Sequence, residues 1–361
     1  MIWVYRIIFA AIILVLAQAF FFKKLGLNSV SCKRSFSNRY VFEGEEIFLL
    51  EEITNERPVP VPLLVIESRI NKNIGLSSAV ELDANESNYH RSIFSLLPFS
   101  KIVRKHKIKL TTRGYYDLKS MVVSSYDLLG FSKQTIDEML VNAIVTVYPA
   151  LLDIKDLLLP CHSFLGDVVV RRWIIDDPFL NAGVREYLPT DPLKSINWKA
   201  SARTGSLQIN KHDYSANTRL LVLFNVDLSE NQWGAPVETT KLEYALSICA
   251  TAIKLAIENS MEVSFMSNGY STLDKGSISE IASGSGEQHL YAILEALALL
   301  SFNHVFSFHY FLSQLYRTGI HDTDILIITS YVDREIDEQV ELLRYGANSV
   351  EFMVPHGGEV A

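Results

Sequence analysis

The chain has 361 residues, of which 48% are hydrophobic and 20% are charged, and its formal net charge at pH 7 is −8. This length and composition favour about two or three domains with packed cores, and the acidic balance disfavours a nucleic-acid partner. The three cysteines, Cys32, Cys161 and Cys249, are widely spaced. An odd number without a CxxC pair is typical of a reduced compartment and indicates neither a disulfide framework nor a zinc site.

Residues 1–22 form an apolar segment in which Arg6 is the only charged residue. A helix of this length crosses a hydrocarbon core of about 30 Å, so residues 1–24 are predicted to be a transmembrane anchor in the lipid bilayer. Two lysines follow the segment directly. By the positive-inside rule, this charge asymmetry places the bulk of the chain in the cytoplasm, with a single pass through the cell membrane. Residues 17–19 also match a small-x-small cleavage site, which leaves a removed signal peptide as the alternative.

Residues 25–150 are predicted to form an all-β domain. Ile47, Leu49 and Glu51 alternate with their neighbours, which is typical of half-buried antiparallel strands. The predicted strands are Glu45–Thr54, Leu63–Ile70, His90–Leu97, Lys101–Thr111, Tyr115–Ser124 and Met139–Tyr148. Short strands at this spacing favour a small immunoglobulin-like β-sandwich. The lysine-rich run from 101 to 109 is either a solvated strand face or a surface for anionic lipid.

Residues 151–217 are predicted to be an ordered polar connection between two folded domains. The stretch Gly183–Asp213 is rich in charged groups and also holds large aromatic residues, whereas a flexible linker would be rich in Gly, Ser and Pro. Charged groups are costly to bury unless they are paired. We therefore expect Arg185, Asp191 and Arg203 to take part in a buried or semi-buried polar network.

Residues 218–361 alternate between predicted strands and helices. Arg219–Val226 is a continuous apolar run, typical of a strand covered on both faces, and Lys241–Glu258 has the apolar stripe of an amphipathic helix. The remaining elements are strand Glu262–Met266, helices Glu287–Leu300 and Phe306–Arg317, strand Asp324–Thr329, helix Arg334–Tyr345 and strand Val350–Val354. This order predicts a mostly parallel, Rossmann-type α/β sheet with helices on both faces, and ligands of such sheets bind beyond the carboxyl ends of the strands.

Three motifs, in order along the chain, carry a resemblance to a known family. The first joins Arg113-Gly114-Tyr115 to the segment Tyr126–Phe131, the second is V-Y-P at residues 147–149, and the third is R-E-Y followed by I-N-W-K-A-S-A-R-T-G-x-L. The signature residues of the third motif are Arg185, Glu186, Tyr187, Asp191, Trp198, Lys199, Arg203 and Gly205. With these motifs the chain resembles the bacterial family of domain of unknown function 58. The resemblance implies a von Willebrand factor A-like C-terminal domain and a MoxR-type AAA+ ATPase as the protein partner.

The first strand of the α/β domain ends in D-L-S-E-N, which contains Asp227, Ser229 and Asn231. At this place von Willebrand factor A domains have D-x-S-x-S, the opening of their metal site. A carboxylate and hydroxyl or amide oxygens are hard ligands that suit Mg²⁺, the only cofactor the sequence suggests. The alternative is that Asp227 and Ser229 cap the next segment or line a polar turn.

The sequence contains no other catalytic signature: G-x-x-x-x-G-K-[ST], G-x-S-x-G and H-E-x-x-H are all absent. Cys161 and His162 are neighbours, and neighbours in sequence rarely have the geometry of a nucleophile–base pair. We therefore expect a non-enzymatic, membrane-anchored interaction or assembly protein. The alternative is an outward-facing metal-dependent adhesion domain or a cell-envelope enzyme.

Overall fold

A computed structural model of the chain describes residues 2–25, 30–70, 74–76, 88–127, 133–153, 181–187, 196–212, 219–229 and 239–355. The chain divides into two compact units, residues 1–150 and residues 151–361. The first unit is built from strands after an N-terminal helix, and the second is a mixture of strands and helices.

The N-terminal helix α1, Ile2–Leu25, occupies the segment for which the sequence predicts an anchor. Among the helices of the described residues, none has the combination of length and apolar character needed to cross a membrane. The strands of the first unit are β1 Val30–Phe36, β2 Tyr40–Phe42, β3 Glu46–Asn55, β4 Val61–Ile70, β5 Ile74–Leu76, β6 Asn88–Leu96, β7 Lys101–Leu110, β8 Gly114–Tyr126 and β9 Lys133–Tyr148.

These strands form two sheets that enclose one core. The first sheet has the order β1-β3-β7-β5 and the second has the order β2-β9-β8-β4-β6. All neighbouring pairs are antiparallel except β2 and β9, which run parallel. The shared core takes Leu49, Ile53 and Ile108 from the first sheet and Leu64, Val123 and Val145 from the second. The unit is therefore a β-sandwich in which alternate residues of each strand point inward.

The sequence prediction misses strands β1, β2 and β5. Strand β1 reads VSCKRSF, and Arg34 lies at one of its buried positions. Because a charged residue stands where the alternation should show an apolar one, the period-two pattern is absent.

The second unit contains both sheet and helix. Its elements are β10 Asn181–Glu186, α2 Trp198–Thr204, β11 Gln208–His212, β12 Arg219–Phe224, α3 Thr239–Glu258, β13 Glu262–Ser271, β14 Asp274–Gly284, α4 Glu287–Leu299, β15 Leu300–His304, α5 Phe308–Arg317, β16 Asp324–Ile328, α6 Arg334–Arg344 and β17 Ser349–Met353. The main sheet has the order β14-β13-β12-β16-β17, and β15 also pairs with β13.

The main sheet is mostly parallel, as the sequence predicts, and it also contains two antiparallel strands that the sequence does not predict. Strand β12 runs parallel to β13 and β16, and β16 runs parallel to β17. Strands β14 and β15 both run antiparallel to β13. The predicted strand is Glu262–Met266, whereas β13 continues to Ser271. A Cβ atom at Gly269 would lie 2.7 Å from the backbone oxygen of Ser301, so glycine is required where β15 crosses close to β13.

Helices cover β12 as expected for a central strand. Helices α5 and α6 pack on the sheet through one cluster that includes Phe308, Phe311 and Val340 together with Leu221 and Ile325. Helix α3 packs against β12 and β13. Residues 220–224 of β12 are all buried, which explains why this strand reads as an uninterrupted apolar run.

Candidate functional site

Polar side chains converge at the carboxyl ends of β12, β13 and β16. Asn225 and Asp227 follow β12, Asn268 lies in the last part of β13, and Thr329 follows β16. All four residues are buried. Since neighbouring parallel strands end at the same edge of the sheet, this edge holds a buried polar cluster where α/β proteins usually place a site.

Hydrogen bonds between the side chains hold the cluster together. Nδ2 of Asn225 donates to Oγ1 of Thr329 at 3.0 Å, and Oδ1 of Asn225 accepts from the backbone N–H of Asp227 at 2.9 Å. Oδ1 of Asn268 accepts from the backbone N–H of Val226 at 2.9 Å. Buried polar groups need such partners because an unpaired one is costly.

The Asp227 carboxylate is the centre of the cluster. Its Oδ1 lies 2.6 Å from Nδ1 of His304, at the end of β15. Its Oδ2 accepts from Nδ2 of Asn268 at 3.1 Å and from the backbone N–H of Phe308 at 3.2 Å. Phe308 is the first residue of α5, and the N-cap position Ser307 makes no side-chain capping bond. Asp227 therefore caps this helix from a distant strand, with its negative charge near the positive end of the helix dipole.

The described residues do not fit a Mg²⁺ site at Asp227. Both carboxylate oxygens of Asp227 already take part in hydrogen bonds, and a cation would have to displace these bonds. Ser229 is exposed, and Asn231 lies outside the described residues. Within the described ranges, no group of three or more His, Cys, Asp or Glu side chains is placed to hold a metal ion. The capping alternative is closer to the structure, although the helix that Asp227 caps begins 81 residues later.

Exposed aromatic rings lie beside this buried cluster. Phe306 and Tyr310 are both exposed, and their ring centroids are 5.4 Å apart. His309 contacts Glu335 at 3.3 Å, which joins the first turns of α5 and α6. We call the surface made by Phe306, Tyr310 and His304 the strand-end face. Its polar centre is buried and hydrogen-bonded, and its rim is aromatic.

The signature motif forms a small β-hairpin with a helix inserted between its strands. Strands β10 and β11 are antiparallel, with Arg185 opposite Ile209 and Glu186 opposite Gln208. The backbone N–H of Tyr187 continues the pairing by donating to the oxygen of Leu207 at 2.9 Å. The motif is thus an ordered unit, although its β-strands are not visible in the sequence pattern.

Helix α2 carries the central part of the signature and is capped at both ends. The side chain of Asn197 accepts from the backbone N–H of Ala200 at 2.9 Å. Gly205 ends the helix in the left-handed region, with φ of +75°, and its N–H donates to the oxygen of Ser201. In the motif, the Asn before Trp198 therefore starts the helix, and the Gly after Thr204 ends it.

The expected buried network is wrong for Arg203. Helix α2 has no buried residues, so Lys199 and Arg203 are exposed and Trp198 is 69% exposed. Asp191 lies outside the described residues, as do Cys161 and His162. The physical reason is that α2 spans only seven residues and leaves its charged side chains in water, where they need no partner.

Sequence reasoning missed an ionic cluster inside the β-sandwich. Arg34 on β1, Glu51 on β3 and His106 on β7 are all buried. Glu51 accepts hydrogen bonds from both Nε and a terminal nitrogen of Arg34, and its Oε2 lies 2.9 Å from Nε2 of His106. Ser92, from the facing sheet, donates to the same carboxylate at 3.4 Å. The one signal in the sequence is that Glu51 occupies an inward position of an alternating strand.

The surroundings of Glu51 favour its charged form. Burial alone would raise its pKa, but the hydrogen bond from His106 and the positive charge of Arg34 lower the pKa to about 2. Cys32, two residues before Arg34, shows the opposite effect: burial raises the pKa of its thiol to about 11, against the smaller lowering by Arg34. The cluster is a structural ion pair, and the raised pKa of the half-buried Cys32 favours its protonated thiol at neutral pH.

Comparison with known proteins identifies a family for part of the chain. Residues 183–350 match the family model described as protein of unknown function DUF58. No curated protein is a match.

Several solved structures of β-rich proteins resemble the chain weakly. The CARDB domain of the PF1109 protein from Pyrococcus furiosus is 14% identical and covers 34% of this chain and 96% of its own, with a TM-score of 0.22. A non-cellulosomal cohesin from Archaeoglobus fulgidus is 13% identical over 33% of this chain and 91% of its own, with a TM-score of 0.21. The alpha-2-macroglobulin of E. coli is 19% identical over 34% of this chain and 7% of its own, with a TM-score of 0.23. Values this low support no inference about function.

Proposed function

From the match of residues 183–350 to the DUF58 family, we propose that the chain is a non-enzymatic interaction protein at the cell membrane. Its partner is a MoxR-type AAA+ ATPase, and the pair acts in the assembly or maturation of other proteins. The support for the partner is the resemblance of the signature motif to the family. The support for a docking role is the geometry of the strand-end face.

The proposal includes two finer statements about the folds. The sandwich is immunoglobulin-like, and the α/β unit is von Willebrand factor A-like. Two features favour the second statement: a parallel centre of the sheet formed by β13, β12 and β16, and a buried polar cluster around Asp227 at the carboxyl ends of these strands.

Membrane attachment in the proposal relies on helix α1. Trp3 is 75% exposed, and Phe9 and Leu14 are similarly exposed along the helix. Apolar side chains in such numbers need cover from lipid or protein. Lys23 and Lys24, near the end of α1, favour a cytoplasmic location for the rest of the chain. Among the described residues, Cys32 and Cys249 are not joined in a disulfide, which is compatible with that reducing compartment.

The observation that carries the docking role is the construction of the strand-end face. Asp227 accepts the first N–H of α5, so the aromatic rim formed by Phe306 and Tyr310 is tied to a buried residue at the end of the central strand. Interfaces are enriched in aromatic residues, and a few such residues supply most of the binding energy. A pre-organised rim also loses little conformational entropy when a partner binds.

The test is recovery of the ATPase with the full-length protein, purified from its membrane after mild cross-linking. We expect Phe306→Ala/Tyr310→Ala to lower recovery about tenfold or more, as for interface residues worth about 2 kcal/mol. The matched control is Tyr345→Ala, which removes a ring that is 84% exposed beyond the other end of α6. Circular dichroism checks that each variant folds.

Other outcomes of this experiment assign the surface differently. Equal recovery with the double variant and the wild type would exclude the strand-end face as the docking site. If Trp198→Ala lowers the recovery of the ATPase and Phe306→Ala/Tyr310→Ala does not, the docking site lies on the signature motif. If no ATPase is recovered with any protein, the proposed partner is wrong.

A further inference from the structure

One end of the β-sandwich presents an apolar tip. Leu97 and Phe99 lie in the turn between β6 and β7 and are 71% and 70% exposed. The turn after β3 lies against it, and there Pro58 and Pro60 are exposed as well. We call residues 97–99 the apolar tip. Large apolar side chains this exposed are unusual in a tight turn, where polar residues are the norm.

A buried asparagine holds the apolar tip in place. Nδ2 of Asn55 donates to the oxygen of Val59 at 2.8 Å and to the oxygen of Leu97 at 3.0 Å. Its Oδ1 accepts from the N–H of Arg57 at 3.2 Å, and the N–H of Phe99 donates to the oxygen of Arg57 at 3.1 Å. The two turns therefore form one rigid structure that holds the apolar side chains outward instead of letting them collapse onto the sheet.

The backbone at Phe99 is also strained. Its φ of +50° lies in the left-handed region, which a bulky aromatic residue adopts only at a cost of about 1 kcal/mol or more. Glycine or asparagine would satisfy this turn without strain. An exposed aromatic residue in a strained conformation indicates a functional constraint on this position.

The apolar tip lies at the end of the sandwich that is connected to helix α1. Strand β1 begins at Val30, which pairs with Asn55, and Asn55 is the residue that holds the tip. Only residues 26–29 separate Leu25, the last residue of α1, from Val30. Five residue steps reach at most about 18 Å. A bilayer that holds α1 therefore lies within reach of the end of the sandwich that carries the tip.

Two lysines lie at the end of the sandwich that carries the tip. Lys101 directly follows the turn and has a half-exposed side chain, although it contacts Glu52. Lys133 begins β9 and is exposed. It lies at the same end, because its partner Tyr126 pairs with Leu63 near the start of β4, and β4 starts opposite Leu96 beside the tip. Apolar side chains flanked by basic groups suit the interface of a bilayer that contains anionic lipid.

From these observations we infer that the apolar tip inserts into the surface of a lipid bilayer and fixes the sandwich against it. The tip adds a second contact to the one that helix α1 makes, so the inference rests on the membrane attachment in the proposed function. The consequence is a fixed orientation of the sandwich: the end that carries residues 97–99 faces the lipid, and the opposite end faces away.

The test uses the full-length protein in vesicles of phosphatidylcholine and phosphatidylglycerol. A photoreactive benzoylphenylalanine replaces one residue at a time: Phe9 in α1, Phe99 in the tip, or Ile93 on β6. Ile93 is also exposed, but it lies six residues from Phe99, up the strand and away from the tip. After irradiation, mass spectrometry measures lipid adducts at each position. We expect adducts at positions 9 and 99, with at least tenfold fewer at position 93.

The controls separate this inference from the proposed function. Adducts at position 9 but not at position 99 would overturn the inference and leave the attachment by α1 intact. Equal adducts at positions 93 and 99 would overturn it too, since they indicate unspecific contact. An adduct of position 99 to protein instead of lipid would show that the tip docks on a partner. Absence of adducts at both positions 9 and 99 would overturn the inference together with the attachment by α1.

Discussion

Removal of the negative charge at the centre of the sandwich tests the ionic cluster most directly. In Glu51→Gln the guanidinium of Arg34 stays buried without its counter-charge. Breaking such a pair costs about 3–5 kcal/mol, because the remaining charge is not compensated. The lowered pKa of Glu51, about 2 against an ordinary value of 4.5, corresponds independently to about 3 kcal/mol of stability at neutral pH. We therefore expect the free energy of unfolding of the sandwich to fall by about 3 kcal/mol.

The matched control is Glu52→Gln, on the next residue of the same strand. Glu52 contacts Lys101 at 2.6 Å, but both side chains are partly exposed. Exposed ion pairs contribute about 0–1 kcal/mol, so this variant should lose less than 1 kcal/mol. The two substitutions make the same chemical change and differ only in burial.

The assay must report on the sandwich alone, since the chain has two units and global unfolding is then not a two-state process. The full-length protein is equilibrated in urea, pulse-labelled with deuterium at one common pH, and digested. Peptides from β3 and β7 then give the unfolding midpoint of the sandwich. A loss below about 1 kcal/mol for Glu51→Gln, or a loss equal to that of Glu52→Gln, would refute the reasoning.

The dependence on pH follows from the direction of the pKa change. The pKa of Glu51 is lower in the folded protein than in the unfolded chain, so the folded state is stabilised where the carboxyl is charged. This contribution is complete above about pH 4.5 and is lost as the pH falls towards 2. The difference in stability between the wild type and Glu51→Gln should therefore be full at pH 7 and should shrink by pH 2–3. A difference that stays constant over this range would contradict the assigned role.

Three further predictions follow from the same geometry. Asp227→Ala removes the cap of α5 and the partner of His304, so it should lower the free energy of unfolding of the α/β unit by about 2–3 kcal/mol. The control Ser229→Ala, at an exposed position, should change that free energy by less than about 0.5 kcal/mol. The urea unfolding midpoints of peptides from α5 measure both effects. Gly269→Ala places a Cβ atom 2.7 Å from a backbone oxygen and should lower the stability of the same unit by about 2 kcal/mol or more, and a midpoint equal to the wild type would show that β15 moves away freely. Cys32, whose thiol pKa is raised to about 11 by burial, should react with maleimide at pH 7 at least tenfold more slowly than in the urea-unfolded chain, and equal rates would contradict its burial.

Several elements were predictable because their signal is local. The alternation at residues 47–52 indicates strand β3, and the structure has it at Glu46–Asn55. The apolar run from residue 219 indicates a central strand, and β12 is buried on both faces. Strands β14 and β15 were not predicted, because they pair with β13 through irregular, bulged registers that disturb the period-two pattern.

In the candidate site, too, the local features were predictable from the sequence and the contacts between distant residues were not. The position of Asp227 after a buried strand is sufficient to predict a polar group at the carboxyl edge of the sheet. Its partner His304 lies 77 residues away on a strand that the sequence pattern does not reveal, and no spacing rule connects the two residues. In the same way, Glu51 is recognisable as an inward residue, but its pairing with Arg34 and His106 joins three strands that are distant in sequence.

The sequence by itself determined the periodic elements and the match of residues 183–350 to the DUF58 family, since each depends on residues close together in the chain. Only the tertiary structure decided which polar groups meet. It made Asp227 a helix cap bound to His304, placed Arg203 in solvent, and brought the turn of Phe99 to the end of the sandwich where β1 begins. The physical reason is that burial and pairing depend on strand register and on contacts between distant segments, and a local pattern contains neither.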